Sequence, residues 1–343
     1  MKEARFPHPS PVLGRPRLLP VFLPHAGCPD GGVCVFCDQR AQTGRHGLES
    51  LDARYTALER DLASLAEQGA GPLEIGFYGG SFTALPGEWP ERFLTLAGRF
   101  RERGLIADVR CSTRPDACDP ARLASLRAMG LSLVELGIQS FADEALDACR
   151  RGYDSATAEV GCRAVTGAGL ALGVQLMPGL PGGDLASFLA DVDRTATLGA
   201  AVARLHPCLV LANTPLAQRF AAGTYRPWSL DKALVACGMA VQRLWQAGTA
   251  VIRLGLSPEP SLLAAVKAGP WHPAFGQRVK SRALLMHVTA RHLELGGGPG
   301  ELLVPRRHLS EIYGWKSETR QRHERLGLCI RVHDESFFLL RVR

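Results

Sequence analysis

The sequence lacks any apolar run approaching about 18 residues, the length a helix needs to cross a bilayer, and a helical membrane span is excluded on that ground. It also lacks a disulfide framework. Ten cysteines are present, but seven are scattered singly (Cys111, Cys118, Cys149, Cys162, Cys208, Cys237 and Cys329), which reads as packing in a reducing cytosol. Residues 1–17 are rich in Pro and Arg without the apolar core of a signal peptide, so a loose N-terminal arm is expected. No internal repeat or low-complexity tract stands out. What is present is apolar: 46% of 343 residues are hydrophobic and 21% charged, enough for a sizeable core and against disorder. The length suits one large α/β domain with an appendage.

The remaining three cysteines, Cys28, Cys34 and Cys37, fall within ten residues, directly after the strand-like run Leu18–Leu23. Gly27, Pro29, Gly31 and Gly32 hold this segment out of regular structure, and a glycine-rich loop can turn three side chains toward one point. Three thiols are one short of a closed tetrahedral zinc site, but they suit an iron–sulfur cluster that keeps one iron open. Three other readings stay open: core packing, zinc with His25 or His46 as fourth ligand, and a disulfide.

Strand-like runs alternate with helix-period segments from Leu18 to Leu256 in six or seven consecutive units. Such alternation predicts a parallel sheet with helices outside it, curled toward a barrel by right-handed crossovers. Polar and glycine-rich segments recur just after the strands, at the end where a β/α barrel carries its active site. They are the cysteine loop, Tyr78–Thr83, Ser112–Asp116, Gly137–Phe141 and Met177–Gly183. The expected fold is α/β, a partial (βα)6-type TIM-like barrel with its helical extension over 18–291 and a small basic α+β appendage over 301–343. Within that appendage Ser310–Leu326 reads as one helix; earlier in the chain, Val202–Leu211 reads as one strand and Ser261–Ala268 as helical. The net charge is +7, and from Leu303 to Arg343 nine Lys/Arg face five Asp/Glu.

On Gly27-Cys28-Pro29, Cys34-Val-Phe-Cys37, Phe77-Tyr-Gly-Gly-Ser-Phe-Thr83, Ser112-Thr-Arg-Pro-Asp116, Val134-Glu-Leu-Gly-Ile-Gln-Ser140 and Leu176-Met-Pro-Gly-Leu-Pro-Gly182, the chain resembles the radical S-adenosylmethionine (SAM) superfamily. Val251–Leu256 and Ala268–Gly276 add similarity to the branch related to the Elongator catalytic subunit. The resemblance runs from about Leu18 to Arg282. It departs in the cysteine spacing, C-x5-C-x2-C instead of C-x3-C-x2-C, and in having no room for the acetyltransferase-like domain of that subunit.

The resemblance implies that Cys28, Cys34 and Cys37 bind three irons of a 4Fe–4S cluster, with SAM on the fourth. An electron from the reduced cluster would then cleave SAM to a 5′-deoxyadenosyl radical that abstracts hydrogen from substrate. It also implies that Phe36 covers the cluster and that backbone groups of Gly79, Gly80 and Ser81 approach the SAM amino group. Arg114, with Ser112 and Thr113, would meet the SAM carboxylate, Gln139 the ribose, and Met177 to Gly179 the adenine. For Arg114 an ordinary ion pair, and for Gln139 a satisfied core amide, are the plain alternatives. Arg151, Arg253, His272 and Arg282 are candidates for substrate contact. The substrate expected from the branch and the basic tail is RNA, a tRNA base, in a cytoplasmic enzyme reduced by a ferredoxin or flavodoxin. A small-molecule or protein substrate is the alternative within the same chemistry, and a non-catalytic zinc or cluster protein the alternative outside it.

Overall fold

The computed structural model describes residues 1–29, 34–44 and 50–343, so Gly31, Gly32 and His46 lie outside the described residues. Its centre is a seven-stranded parallel sheet: β2 (Arg17–Phe22), β3 (Leu73–Tyr78), β4 (Ile106–Thr113), β5 (Leu133–Gln139), β6 (Ala171–Leu176), β7 (Val202–Leu205) and β9 (Ala250–Leu254), in that spatial order. The strands are short and apolar because helices cover their outer face; every residue of β3 is buried. Side-chain caps start the intervening helices. Ser50, Asp119, Asp154, Thr214 and Ser229 each accept a hydrogen bond from a backbone N–H in the first turn. Asp184 and Ser187 form a full capping box.

The sheet curls. In a flat sheet β3 and β7, four strands apart, would be separated by roughly 19 Å. Instead the Arg204 guanidinium of β7 lies 4.5 Å from the centre of the Tyr78 ring at the end of β3, and both bond Glu135 of β5. Among the described residues β2 and β9 pair on one side only, so the barrel is partial and open.

Three segments differ from the sequence reading. The run 202–211 is broken by Pro207, which cannot donate to a ladder. β7 therefore ends at Leu205, and β8 (Val210–Leu211) pairs antiparallel with β10 (Val266–Ala268), the tail of the segment expected to be helical. The stretch 310–326 is divided at Gly314, whose φ of 72° is open to glycine at little cost. It forms two short helices, Leu309–Tyr313 and Arg320–Arg325. The third difference is larger. Residues 1–17 are no loose arm: β1 (Lys2–Phe6) pairs antiparallel with β13 (Phe338–Val342). The four-stranded appendage sheet runs β1, β13, β11 (Gly300–Pro305), β12 (Leu328–His333). Phe6 is buried and stacks on Phe338 with ring centres 5.4 Å apart. Two apolar residues in five, Ala4 and Phe6, carry little strand signal, and the partner strand is more than 330 positions away.

The long helix Phe275–Glu294 joins the two parts. Phe275, Val279 and Ala283 pack into the barrel core, while Leu284 and Val288 pack into the appendage core with Leu302, Val304 and Ile312. Among the described residues no helix is long and apolar enough to cross a membrane.

Candidate active site

The cysteine loop leaves β2 and is stitched to the turn after β3. Leu23 N–H donates to the Tyr78 carbonyl and His25 N–H to the Gly79 carbonyl, both at 2.6 Å, and Ser81 N–H donates to the Ala26 carbonyl at 2.8 Å. This contact requires glycine on both sides. A Cβ at Gly80 would stand 2.2 Å from the Ala26 carbonyl oxygen, and one at Gly27, where φ is 71°, would stand 2.3 Å from that of Ser81. The second half of the loop closes by Cys37 N–H to the Cys34 carbonyl, 3.1 Å, and by Val35 N–H to the Cys149 carbonyl, 3.2 Å.

The loop delivers the three sulfurs to one rim. Cys28 Sγ lies 3.7 Å from Ser81 Oγ, and Cys34 Sγ accepts a hydrogen bond from Arg151 Nη1 at 2.9 Å. Burial raises the Cys28 thiol. Cys37 is pushed up to about 12 by burial and then by the neighbouring Cys34 and Cys28. Neutral thiols pack here without difficulty, whereas three thiolates need a cationic centre between them.

A single tetrahedral zinc would hold its sulfurs roughly 3.8 Å apart. Among the described residues neither the cysteine trio nor any set of three that includes His25 brings all its donor atoms within 4.8 Å of one another. His25 instead leaves Nδ1 buried without a partner among the described residues. The donor set is soft and three-membered, which fits an iron–sulfur cluster that keeps one iron open better than a closed four-ligand zinc site.

The rim opens on a cavity of about 430 Å³, within the usual range for a small-molecule site. Cys28, Cys34, Cys37, Phe36, Gly79, Gly80, Ser81, Ser112, Thr113, Arg114, Gln139 and Met177 all line it. Gly179 does not. It packs beneath Trp228, where a Cβ would stand 3.2 Å from the indole, and its carbonyl accepts from Tyr225 Oη at 2.7 Å. Of the substrate candidates, Arg151 and Arg253 reach the cavity. Arg282 is paired with Glu318 at 3.2 Å, and His272 packs edge-on against Trp315.

Several of these groups are already engaged. Arg114 clasps Asp116 with Nε and Nη2 at 2.9 and 2.7 Å, and Nη2 also donates to the Arg151 carbonyl at 2.6 Å. The ordinary ion-pair reading of Arg114 therefore describes most of its fork. Thr113 shares its hydroxyl with Thr83 at 2.7 Å. Gln139 is buried at a φ of 72°, uncommon for a residue with a Cβ, and its Oε1 accepts from Gln175 at 3.1 Å. Arg151 also donates to the Gly137 carbonyl at 2.6 Å and to Tyr153 Oη at 2.7 Å.

The inner face of the sheet below the rim carries charges that the sequence reading passed over. Glu74 pairs with Arg15 at 2.7 Å and with Arg110 at 3.2 Å. Glu135 pairs with Arg110 at 3.4 Å and with Arg204, and accepts from Tyr78 Oη at 3.0 Å. The signal was present as single charges inside otherwise apolar strands, which are expensive to bury unless matched. Their partners lie one or two strands away and could not be named.

Two family descriptions match. "Radical SAM superfamily" covers residues 22–194 and "Radical_SAM C-terminal domain" covers 200–284. The tRNA uridine(34) acetyltransferase of Methanocaldococcus jannaschii is 26% identical over 246 residues, 63% of this chain and 46% of that protein. Elongator complex protein 3 of Homo sapiens is 24% identical over 237 residues, 58% of this chain and 43% of that protein. The chain thus spans about half the length of the curated relatives it matches. Among solved structures, archaeal Methanocaldococcus infernus Elp3 aligns with a TM-score of 0.59 at 17% identity, covering 82% of this chain and 64% of that one. Coproporphyrinogen III oxidase (HemN) from Escherichia coli aligns with a TM-score of 0.50 at 21% identity, covering 68% of this chain and 54% of that one. These two share the curled parallel half-barrel. With half of its length matched by the superfamily description and the cysteine loop inside that span, this chain belongs to the radical SAM superfamily of enzymes.

Proposed function

We propose that this protein cleaves S-adenosylmethionine reductively and uses the radical to modify RNA, specifically a tRNA base. The observation that carries the first half is the cysteine trio: three thiols lining one rim of a cavity at the carboxyl ends of parallel strands. Cys28, Cys34 and Cys37 would hold a 4Fe–4S cluster. When bound, it supplies the electron that breaks a carbon–sulfur bond of SAM. Arg151 places a cationic N–H donor on the Cys34 sulfur. Phe36, buried between the last two cysteines, keeps water from that side of the rim. Gln139 and Ser112 present polar groups, and Met177 an apolar one, to a bound nucleoside. Gly79 and Ser81 present backbone at the edge of the cysteine loop.

Support for the RNA half is the tRNA substrate named for the similar acetyltransferases, together with a net charge of +7 weighted toward the appendage. Acyl transfer is not carried over, because the chain matches only about half of those proteins. A ferredoxin or flavodoxin is the class of reductant this chemistry requires.

The test is anaerobic reconstitution with iron, sulfide, a low-potential reductant and SAM. Formation of 5′-deoxyadenosine is expected, and its absence with stoichiometric zinc uptake would falsify the radical reading. Filter binding with tRNA at several salt concentrations tests the substrate. A binding constant that falls with salt is expected; no binding at low salt would leave a small-molecule or protein substrate in its place.

A further inference from the structure

The last two strands of the main sheet place like charges side by side. Arg204 of β7 and Arg253 of β9 are register partners, and both reach the cavity. Neighbouring strands lie about 4.8 Å apart, a separation at which two guanidinium groups on one face repel. Arg204 is neutralised by Glu135. Arg253 has no such partner. Among the described residues it makes no ion pair: Nε donates to the Gly255 carbonyl at 3.2 Å and Nη2 donates to Ser257 Oγ. Glu259 also lines the cavity and acts on Arg253 only through space.

His206 adds a second observation. It lies two residues beyond Arg204, and two is the repeat that returns a side chain to the same face of a strand. It lines the cavity, and among the described residues its buried Nε2 has no hydrogen-bond partner. Burial, then Arg204 and Arg253, drive its pKa down to about 3, so the ring is neutral and can offer one N–H. The inner-face carboxylates cannot supply the missing anion. Glu74 already serves Arg15 and Arg110, and Glu135 serves Arg110 and Arg204. The Arg253 guanidinium, which no carboxylate neutralises among the described residues, the neighbouring charge of Arg204 and an imidazole N–H approach from different directions, which suits a tetrahedral oxyanion better than a planar carboxylate.

We propose that Arg253, Arg204 and His206 Nε2 form a phosphate subsite for the substrate, on the wall of the cavity opposite the cysteines. The proposal rests on the reading of this cavity as the active site, and it gives the reacting substrate a chemical class: a nucleotide bound through its phosphate, its base extending toward the cysteine rim. The SAM carboxylate is served from the other wall.

Phenylglyoxal labelling of the cluster-loaded protein, read peptide by peptide in a mass spectrometer, tests this directly. Arg60, with a side chain 80% exposed, is the internal standard. Inorganic phosphate at ten times its dissociation constant is expected to slow labelling of Arg253 roughly tenfold while leaving Arg60 unchanged. No protection, equal protection by chloride at matched ionic strength, or protection by SAM alone would each overturn the proposal. Should Arg253 resist labelling even without phosphate, affinities decide. The holoenzyme is expected to prefer uridine 5′-monophosphate to uridine by about tenfold, Arg253→Gln to lose that preference, and Arg253→Lys to keep part of it. A wild-type preference near unity, or one that Arg253→Gln leaves intact, rules the subsite out. Labelling needs no turnover, so phosphate protection without 5′-deoxyadenosine formation would sink the radical reading and leave this one standing.

Discussion

On one wall of the cavity three thiols come from ten consecutive residues of a single loop; on the other, Arg204 and Arg253 are neighbours only because β7 pairs with β9. The first wall is held by backbone hydrogen bonds between two turns, and its charged side chains are satisfied close by: Arg114 on Asp116, Arg151 on Cys34, Gly137 and Tyr153. The second is held by side chains reaching across the sheet, with Glu135 shared among Tyr78, Arg110 and Arg204. A wall built by backbone tolerates loss of a side chain and loses only chemistry. A wall built by a shared buried charge loses stability when that charge goes.

The sharpest way to separate the walls is Cys34→Ala. Iron uptake and 5′-deoxyadenosine formation should fall below detection, while stability in urea drops by only about 1 kcal/mol. Its counterpart is Glu135→Leu, which leaves Arg110 and Arg204 buried without their common partner. The expected cost is about 3–5 kcal/mol, with the folded fraction still taking up iron. If Glu135→Leu abolished iron uptake at unchanged stability, the contrast between the walls would be wrong. Gly80→Ala probes the backbone contact itself. A Cβ set 2.2 Å from the Ala26 carbonyl forces the cysteine loop to move, so a loss of about 2–3 kcal/mol and weaker iron retention are expected. Gly98→Ala, on helix Trp89–Glu102 with nothing within 4 Å, should instead gain up to about 1 kcal/mol.

A pH-dependent effect concerns the turn that follows Gln139, which is tied to helix Leu185–Thr197. Asp191 accepts from Ser140 Oγ and from Phe141 N–H, both at 2.7 Å. Burial raises this carboxyl from 3.8 to about 6. The folded state therefore binds the proton more tightly than the unfolded chain. The resulting stabilisation is full below about pH 4 and is lost as pH rises through about 6. Urea midpoints of wild type and Asp191→Asn between pH 4 and pH 7 should diverge by about 2–3 kcal/mol, the wild type losing ground as pH rises. Parallel pH profiles would show that the carboxylate is already charged at pH 4.

The alternation of strands and helices was legible in the chain, and with it the end of the sheet that carries the site. Apolar runs of strand length and helix caps such as Asp119, Asp154 and Asp184 are local signals, readable without a partner. The cysteine trio, Phe36, the glycine turn at 79–80 and Gln139 were legible for the same reason: each lies in a short stretch whose composition already restricts it. Gly179 shows where such reading stops. Its motif placed it beside a nucleoside, whereas the ring of Trp228, 49 positions later, covers it.

The amino-acid sequence by itself determined the parallel α/β architecture and the grouping of three thiols in one loop, because both follow from residue types at fixed short spacings. Only the tertiary structure decided that the first strand belongs to the appendage sheet, that Arg114 is clasped by Asp116 and that Arg253 has no carboxylate partner among the described residues. Each is a matter of which charge or strand edge is met by which distant one. Pairing energies of that kind are long-range and shared, so no window of sequence contains them.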